Sequence, residues 1–448
     1  MITARVLSLP TESDVREEAS LLGVPFASLE PLVGTLGLQA VVLQGIPTQT
    51  AAFLKAMVPS HLGLIVASQA GNPHPSPLPE GERVELSHLP VGEGSGARSI
   101  LPLSTQHSAL STSTLLIAAP PPLLRDMASR LEAAGDDTER AAAAALRTAL
   151  DRYLGRQLGT TLCRNLTLEW GSRTYVMGII NVTQDSFSGD GLGPNVEAAV
   201  EQGRRFVEEG ADILDVGGES TRPGFQQVPV EQEIARVVPV VRRLAQEFAI
   251  PISVDSYKLP VMQAALDAGA NMVNDIWGLR TEGLADLTAA YGVPIVLMHN
   301  RRGEITTSLI GGHFRGVQYH DLMGEIVQGL QGSIDLALQA SIKWENIIVD
   351  PGLGFGKTPE QNLVVMRRLR ELCSLGRPIL MGTSRKSVIG KVLGLPPEER
   401  VEGTAATVAV SIANGADIVR VHDVKAMSRV ARMTDAITRV PSTTHELP

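Results

Sequence analysis

The segment VMGIIN (residues 176–181) is a short apolar run that ends at a polar residue, Asn181. Seven more runs of this kind follow it along the chain. They are ILDV (213–216) before Gly217-Gly218-Glu219, ISV (252–254) before Asp255, MV (272–273) before Asn274 and Asp275, IVLM (295–298) before His299, IIV (347–349) before Asp350, ILM (379–381) before Ser384, Arg385 and Lys386, and IVRV (418–421), which contains Arg420 and precedes His422 and Asp423. Segments with helical periodicity separate the runs. This β/α order, repeated eight times, predicts a (β/α)8 TIM barrel whose site gathers the carboxyl ends of the strands.

The chain has 448 residues, which exceeds one typical domain. Residues 1–160 differ in pattern and predict a small α+β domain, with strands at 40–43, 62–66 and 115–118 and helices at 49–57 and 137–153. The last helix is predicted from Ala144, Leu146, Leu150 and Leu154, which recur at helical spacing. Residues from about 69 to about 106 are rich in Gly, Pro, Ser and Glu, a composition that predicts a disordered insertion. The catalytic barrel is predicted to span 165–440, and 441–448 to be a frayed tail.

The helices of the barrel follow from helical spacing and end signals. Asn195 can cap a helix that runs to Glu209, and Gly210 would end it. The remaining helices are predicted at 231–248, 260–268, 284–291, 319–340, 359–375, 404–414 and 426–437, with an extra turn at 388–393.

Composition limits the classes of molecule that the protein is expected to bind. The net charge is −9, which argues against general nucleic-acid binding because such proteins present a basic face. Cys163 and Cys373 provide no disulfide framework, and a cytoplasmic location is expected. The first residues become acidic before a signal-peptide apolar region could form, and the apolar stretch at 115–124 is too short to span a bilayer. Small-molecule substrates are therefore expected, without a nucleic-acid or membrane partner.

One set of strand-end residues combines acids, an amide and an ammonium group: Asp255, Asn274, Asp350 and Lys386. A closed barrel would place all four in one mouth. Carboxylates accept from ring N–H and amino groups, and a lysine donates to a ring nitrogen or carbonyl. The set therefore favours a flat, nitrogen-rich heterocycle such as a pterin. The alternative is that these charges only neutralise one another in ion pairs.

A second set suits an anion: Asn181, Arg222, Arg420 and His422. Arg420 and His422 lie two residues apart on one strand and so share a face. With a divalent metal they would form a diphosphate site. His422 alone could be a hydrogen-bonded core histidine, but its neighbours Arg420 and Asp423 favour the site. His299 could equally only line the pocket wall.

Two loops and one segment similar to a known motif are further candidates for a functional role. Residues 183–194 and 217–224 are rich in turn residues and suit flaps that close over a substrate, although surface loops without a role are the alternative. GLGFGKT (352–358) follows a strand and is similar to a phosphate-binding P-loop. A P-loop has four residues between its first glycine and Gly-Lys, whereas Gly352 leaves three, so the segment gives little support to nucleotide hydrolysis.

Together these residues resemble the dihydropteroate synthase family closely. The eight matching segments occur in family order: MGIINVTQDSFS (177–188), ADILDVGGESTRPG (211–224), SVDSYK (253–258), VNDIWGL (273–279), VLMHN (296–300), VDPGLGFGKT (349–358), GTSRKS (382–387) and RVHDV (420–424). The chain departs from the family pattern at Gln184, at Asp190, which is displaced by one residue, and at Asn300 with Arg301-Arg302. The first 160 residues lie outside the resemblance.

The resemblance implies a role for each matched residue. Asp255, Asn274, Asp350, Lys386 and Arg420 would bind the pterin, and Asp255, Asp350, Lys386 and Arg420 would act in catalysis. Asn181, Arg222, Arg420 and His422 would hold the diphosphate, with Asn181 as a ligand of Mg²⁺. Thr221, Arg222, Pro223, Phe355, Lys386 and Ser387 would form the 4-aminobenzoate pocket.

The implied reaction belongs to folate biosynthesis. It condenses 7,8-dihydropterin-6-ylmethyl diphosphate with 4-aminobenzoate, and a homodimer is implied as well. Two alternatives remain open at this point. One is a pterin-dependent methyltransferase with a related barrel, which has no need of Arg222, Lys386 or the Arg420/His422 pair. The other is a non-catalytic pterin-binding protein, which would be expected to have lost some of these residues.

Overall fold

The structure, a computed structural model, describes residues 3–7, 18, 39–47, 50–52, 54, 64–69, 112–119, 121–134, 136–164, 166–183, 195–219, 227–301 and 318–439. The chain divides into two compact units, Met1–Gly155 and Arg156–Pro448. The predicted insertion, apart from Gln69, and the predicted tail lie outside the described residues. Within these ranges no helix has both the length and the apolar character needed to cross a bilayer.

The described part of the first unit is α+β. Its strands β1 (Thr3–Val6), β2 (Gln39–Pro47), β3 (Leu64–Gln69) and β4 (Thr112–Ala119) form an antiparallel sheet in the order β1-β2-β4-β3. Two helices follow, α1 (Pro121–Ala134) and α2 (Asp137–Gly155). Of the helix predicted at 49–57, residues 50–52 and 54 are described, and they are helical.

The buried stripe of α2 differs from the predicted one. Helix α2 packs against α1, β1 and β2. Its buried residues are Ala142, Ala143, Leu146, Ala149, Leu150 and Tyr153. Ala144 and Leu154 face solvent, so only two of the four predicted positions are buried. The real stripe recurs every three to four residues from Ala142 to Tyr153, and the alanines in it allow close packing.

The second unit confirms the predicted (β/α)8 barrel. The strands are β7 (Tyr175–Asn181), β8 (Ile213–Gly217), β9 (Ile252–Asp255), β10 (Met272–Asp275), β11 (Ile295–Met298), β12 (Ile347–Asp350), β13 (Leu380–Met381) and β14 (Ile418–Val421). Neighbours pair in parallel in the order β12-β11-β10-β9-β8-β7-β14-β13. A parallel bridge from Val349 to Ile379 joins β12 to β13 and closes the ring.

Helices link successive strands around this ring. They are α3 (Val196–Glu208), α4 (Val230–Glu247), α5 (Leu259–Asp267), α6 (Leu284–Tyr291), α7 (Leu322–Gln339), α8 (Pro359–Arg367), α9 (Ser387–Leu393), α10 (Val401–Ala413) and α11 (Val424–Thr438). The predicted cap of α3 is present, because Asn195 Oδ1 accepts a hydrogen bond from Ala198 N at 3.1 Å. Helix α9 corresponds to the extra turn predicted at 388–393.

The prediction of a single helix at 359–375 is wrong. Helix α8 ends at Arg367, and the 3₁₀ segment Leu369–Leu375 follows it. Leu369, Leu372 and Leu375 recur every three residues and are all buried. This spacing matches the three residues per turn of a 3₁₀ helix, in which such side chains lie directly above one another.

A hairpin closes the amino-terminal end of the barrel. Strands β5 (Thr160–Cys163) and β6 (Leu166–Glu169) pair antiparallel. Cys163, Leu168 and the following Trp170 join a buried cluster with side chains from the bottom of the barrel strands. Trp170 Nε1 donates to Thr161 Oγ1 at 2.8 Å, and the Trp170 ring meets the ring of Tyr175 edge-on at 5.3 Å. The apolar bottom is thus sealed, which leaves the opposite end for polar chemistry.

Removing Trp170 should destabilise the protein strongly. Trp170 is 8% exposed, so Trp170→Ala leaves a cavity and should lower the free energy of unfolding by about 3–5 kcal/mol. Leu162→Ala on the same hairpin is the control, because Leu162 is 62% exposed and its loss should cost no more than about 0.5 kcal/mol. Urea unfolding followed by circular dichroism measures both. Equal losses for the two variants would contradict the sealing role.

Candidate active site

The inward-facing side chains of the barrel change from apolar to polar within two residues. The lower layer, part of the buried cluster that includes the hairpin, contains Ile213, Met272, Ile348 and Ile418. Two residues further along the same strands come Asp215, Asn274, Asp350 and Arg420. Because side chains i and i+2 of a strand point to the same face, the polar set lies inside the barrel above the apolar layer. The carboxyl end of the barrel therefore forms a polar mouth on an apolar floor.

Arg420 is the centre of this mouth. Its Nε donates to Asp215 Oδ2 and its Nη2 donates to Asp255 Oδ2, both at 2.6 Å. Asn274 Nδ2 donates to the same Asp215 oxygen at 3.2 Å. The predicted residues Asp255, Asn274 and Arg420 are thus brought together from strands β9, β10 and β14.

Asp215 is a site residue that sequence analysis missed. It lies on β8, is fully buried, and accepts hydrogen bonds from both Arg420 and Asn274. A signal was present, since Asp215 is a lone acid within the apolar segment ILDVG. A buried charge is costly unless it is paired, so this acid inside a strand pointed to a cationic partner.

Asp350 and Lys386 lie on the next sector of the rim. Asp350 Oδ1 accepts a hydrogen bond from Gly352 N at 2.6 Å. Lys386 immediately precedes α9, and its Nζ lies 4.9 Å from the centre of the Phe355 ring. Burial raises the pKa of Asp350, and the Gly352 N–H, Lys386, Lys357 and Arg420 oppose that rise. All four residues of the first predicted set therefore belong to one mouth.

The charges of this cluster shift one another's pKa values. Burial raises the pKa of Asp255 to about 7, against the attraction of Arg420 and Lys386, and the nearby carboxylate of Asp215 adds to the rise. Burial alone would lower the pKa of Arg420, but Asp215 and Asp255 raise it above its ordinary value. Arg420 therefore stays charged, and burial holds the pKa of Asp255 above that of an ordinary aspartate.

The second predicted set is described in part. Asn181 ends β7 and is level with Gly217, which in turn is level with Asp255, so Asn181 shares the rim with the acids. His422 Nδ1 lies 3.0 Å from Ser384 Oγ. Asp423, the predicted neighbour of His422 in the site, accepts hydrogen bonds of 3.0 and 2.6 Å from Arg385. Arg222 lies outside the described residues.

The third predicted set is also only partly described. Phe355 is buried beside Lys386, and Ser387 is the first residue of α9. Thr221, Arg222 and Pro223 fall outside the described ranges, as do Gln184, Asp190 and most of both predicted flaps.

A buried lysine holds the described ends of the second predicted flap. Lys258 Nζ donates to Glu219 Oε2 at 2.6 Å, to Glu233 Oε2 at 2.7 Å and to Val228 O at 2.6 Å. Glu219 lies in the first residues of the predicted flap and Val228 follows it, so one ammonium group joins the two sides of the flap. Sequence analysis did not identify this cluster, because its members are far apart along the chain.

The residues of the rim are compatible with Mg²⁺ only when a ligand supplies further oxygens. Within the described residues no group of three or more His, Cys, Asp or Glu side chains could hold a metal ion. Asn181, half-buried at the rim, offers one amide oxygen. Mg²⁺ is commonly bound through one or two protein oxygens together with substrate phosphates and water. The donor set therefore fits a Mg²⁺ that binds together with a phosphate group.

Asp255 predicts a pH dependence of stability. Its pKa is about 7 in the folded protein and 3.8 as an ordinary aspartate. Between these values the folded protein keeps a proton that the unfolded chain has released, so this contribution to stability is full at low pH and is lost as the pH rises through about 7. The free energy of unfolding of the wild type minus that of Asp255→Asn should therefore fall by at most about 4 kcal/mol between pH 4 and pH 7. A difference that rises with pH would show that the attraction of Arg420 outweighs burial.

Comparison with known proteins places this barrel in a family. The family model described as "Pterin binding enzyme" matches residues 177–422, more than half of the chain. A dihydropteroate synthase of Clostridium beijerinckii is 49% identical over 271 residues, which are 60% of this chain and 96% of that protein. A solved dihydropteroate synthase from Clostridium difficile, in the presence of pteroic acid, is 48% identical with a TM-score of 0.56, covering 61% of this chain and 100% of that one.

A second solved structure agrees with the first. The Xanthomonas albilineans dihydropteroate synthase with 4-aminobenzoic acid is 43% identical with a TM-score of 0.57, and the match covers 63% of this chain and 99% of that one. The family match lies within the second unit. The chain belongs to the dihydropteroate synthase family of pterin-binding enzymes.

Proposed function

We propose that the barrel condenses 7,8-dihydropterin-6-ylmethyl diphosphate with 4-aminobenzoate to give 7,8-dihydropteroate and diphosphate. The observation that carries the proposal is the cluster of Arg420, Asp215, Asp255 and Asn274 in the mouth of a barrel of this family. The 4-aminobenzoic acid and pteroic acid in solved relatives support the same substrate classes. The chain is thus proposed to act as a transferase in folate biosynthesis.

The pterin ring suits the acids and the amide of the mouth. Asp255 and Asp350 accept from the ring N–H and the exocyclic amino group, and Asn274 can both donate and accept. Lys386 donates to a ring nitrogen or carbonyl. Arg420, which already crosses the mouth from β14 to Asp255, is placed to stack against the ring. The acids, the amide and the guanidinium group lie at or near strand ends, and Lys386 lies immediately before α9.

The diphosphate is proposed to bind at the sector of the rim formed by Asn181, Arg420 and His422, together with Arg222. Ser384 orients His422, and Arg385 holds the neighbouring Asp423, so the chain after β14 is fixed. When Mg²⁺ is bound it neutralises charge on the diphosphate, and Asn181 would be its protein ligand. The protein's own cations share the remaining negative charge of the departing group.

4-Aminobenzoate is proposed to bind to Phe355, Lys386 and Ser387, together with Thr221, Arg222 and Pro223. The cation of Lys386 lies against the Phe355 ring, which provides one apolar wall beside one positive charge. An aromatic carboxylate has a matching flat face and negative end.

The chemical step requires no enzyme-bound intermediate. The bond between the pterin methylene carbon and the diphosphate oxygen breaks, and the electron pair leaves with the diphosphate. The ring electrons and the nearby Asp255 and Asp350 stabilise the resulting cation. The amine nitrogen of 4-aminobenzoate then attacks this carbon, forms the C–N bond and releases one proton.

The two alternatives from the sequence make different predictions in one assay. Purified protein would be incubated with the pterin diphosphate, labelled 4-aminobenzoate and Mg²⁺. Methyl transfer without dihydropteroate would select the methyltransferase, and binding without turnover would select the non-catalytic protein. A homodimer, implied by the resemblance, and a cytoplasmic location, expected from the cysteine content, stay predictions. Sedimentation as a monomer would exclude the homodimer.

Arg420→Met should lower kcat/KM for dihydropteroate formation by about 10²–10³-fold, because it removes the charge that serves both the pterin acids and the leaving group. Arg173→Met is the control. Arg173 also pairs with an acid, Asp212, but precedes β7 at the opposite end of the barrel, so activity should stay near the wild-type value. Wild-type activity in Arg420→Met, or equal losses in both variants, would contradict the assignment.

A further inference from the structure

The GLGFGKT segment, which is similar to a P-loop, keeps its lysine away from the mouth. The segment joins β12 to α8, and Gly352, Gly354 and Gly356 all have positive φ angles. Such a backbone curls tightly, and only glycine adopts it without strain. Lys357 is 2% exposed, and its ammonium group is engaged by groups of the protein itself.

Lys357 fixes the turn from within. Its Nζ donates to Gly352 O at 3.0 Å and to Phe355 O at 3.3 Å. The same Nζ lies 3.1 Å from His299 Nδ1 at the end of β11. One ammonium group thus joins the start and the middle of the turn to the neighbouring strand.

His299 is a buried partner, and the structure leaves room for it. It is 6% exposed, and its Nδ1 lies beside the Lys357 ammonium group. A Cβ on Gly352 would lie 2.0 Å from His299 O, and a Cβ on Gly329 of α7 would lie 2.9 Å from His299 Cδ2. Two glycines therefore make the space that the histidine occupies. Its backbone N also donates to Asp350 O at 2.9 Å, which ties it to β12.

Lys357 and His299 can stay hydrogen-bonded to each other whether Lys357 is charged or neutral. Burial lowers the pKa of His299 well below its ordinary value, and burial lowers the pKa of Lys357 to about 7. A charged Lys357 can donate to both carbonyls and to Nδ1 of a neutral His299. A neutral Lys357 can donate to both carbonyls and accept from an Nδ1–H. The three contacts thus persist without two adjacent positive charges.

The turn that Lys357 holds carries groups of both proposed substrate sites. Gly352 N fixes the carboxylate of Asp350 at 2.6 Å. Phe355 lies under Lys386, and a Cβ on Gly354 would lie 3.8 Å from Lys386 Nζ. The pterin is also held by Asp255 and Asn274 on other strands. The main chain of Phe355, in contrast, belongs to this turn, and its ring packs against Ile276 and Met298.

We infer that Lys357 and His299 are positioning residues that shape the 4-aminobenzoate pocket through the Gly352–Phe355 turn. The inference rests on the proposed function, because it assigns Phe355 and Lys386 to that pocket. It also gives the P-loop-like segment a role without nucleotide phosphate, since its lysine serves its own backbone.

The test compares the two substrates in steady-state kinetics of the full chain. Lys357→Met keeps the bulk but loses all three polar contacts, so KM for 4-aminobenzoate should rise about tenfold or more. The dissociation constant of the pterin diphosphate, measured by calorimetry without 4-aminobenzoate, should change by less than about threefold. Lys343→Met, an exposed lysine before β12 at the other end of the barrel, should change neither.

A second residue keeps the inference testable if Lys357→Met does not fold. His299→Phe removes the Nδ1 partner and should raise the same KM, whereas His299→Asn keeps a polar group near the Nδ1 position and should restore much of the loss. An unchanged KM in His299→Phe, or an equal loss of pterin affinity in either variant, would overturn the inference. A wild-type protein that forms no dihydropteroate would instead overturn the proposed function.

Discussion

A single guanidinium group, that of Arg420, holds together a site built from distant parts of the chain. It bonds to Asp215 and Asp255 at 2.6 Å each, and Asp215 in turn accepts from Asn274. Two buried carboxylates near each other would repel, and their burial is costly without a cation between them. Arg420 offsets this cost and ties β14 to the acids of β8 and β9. The same charge is then available at the place where an anion must leave.

The barrel provides the geometry that this charge pairing needs. The apolar layer with Ile213, Met272, Ile348 and Ile418 fills the lower interior, and the hairpin seals it. Two residues further along the same strands, the side chains of Asp215, Asn274, Asp350 and Arg420 lie at the mouth. Loops and turns complete the rim. Lys258 holds the second predicted flap through Glu219, and Lys357 holds the turn of Phe355 through its carbonyl oxygen. The strands thus fix the positions of the charged side chains, and buried lysines hold the segments that connect the strands.

Much of this arrangement could be predicted from the sequence, and the misses have physical reasons. Strand ends are visible as apolar runs that stop at polar residues, so Asp255, Asn274, Asp350, Lys386 and Arg420 were found. Asp215 was missed because it lies inside a run, and its partner is 205 residues away along the chain. The pairing of Arg385 with Asp423 could not be predicted, because the two residues are 38 positions apart and only the fold brings them together. The roles of Lys357 and His299 depend on the path of a glycine-rich turn, which a pattern of residue types does not specify.

The coupling between Arg420 and Asp215 tests the central claim most directly. Calorimetry would measure the affinity of the pterin diphosphate for the wild type, for Arg420→Met, for Asp215→Asn and for the double variant. If the charge cluster binds the substrate as one unit, the loss of binding free energy in the double variant should be smaller than the sum of the two single losses by about 1 kcal/mol or more. The double variant should then bind about as weakly as Arg420→Met alone. Losses that add to within about 0.5 kcal/mol would show that the two residues act independently, and would contradict the account.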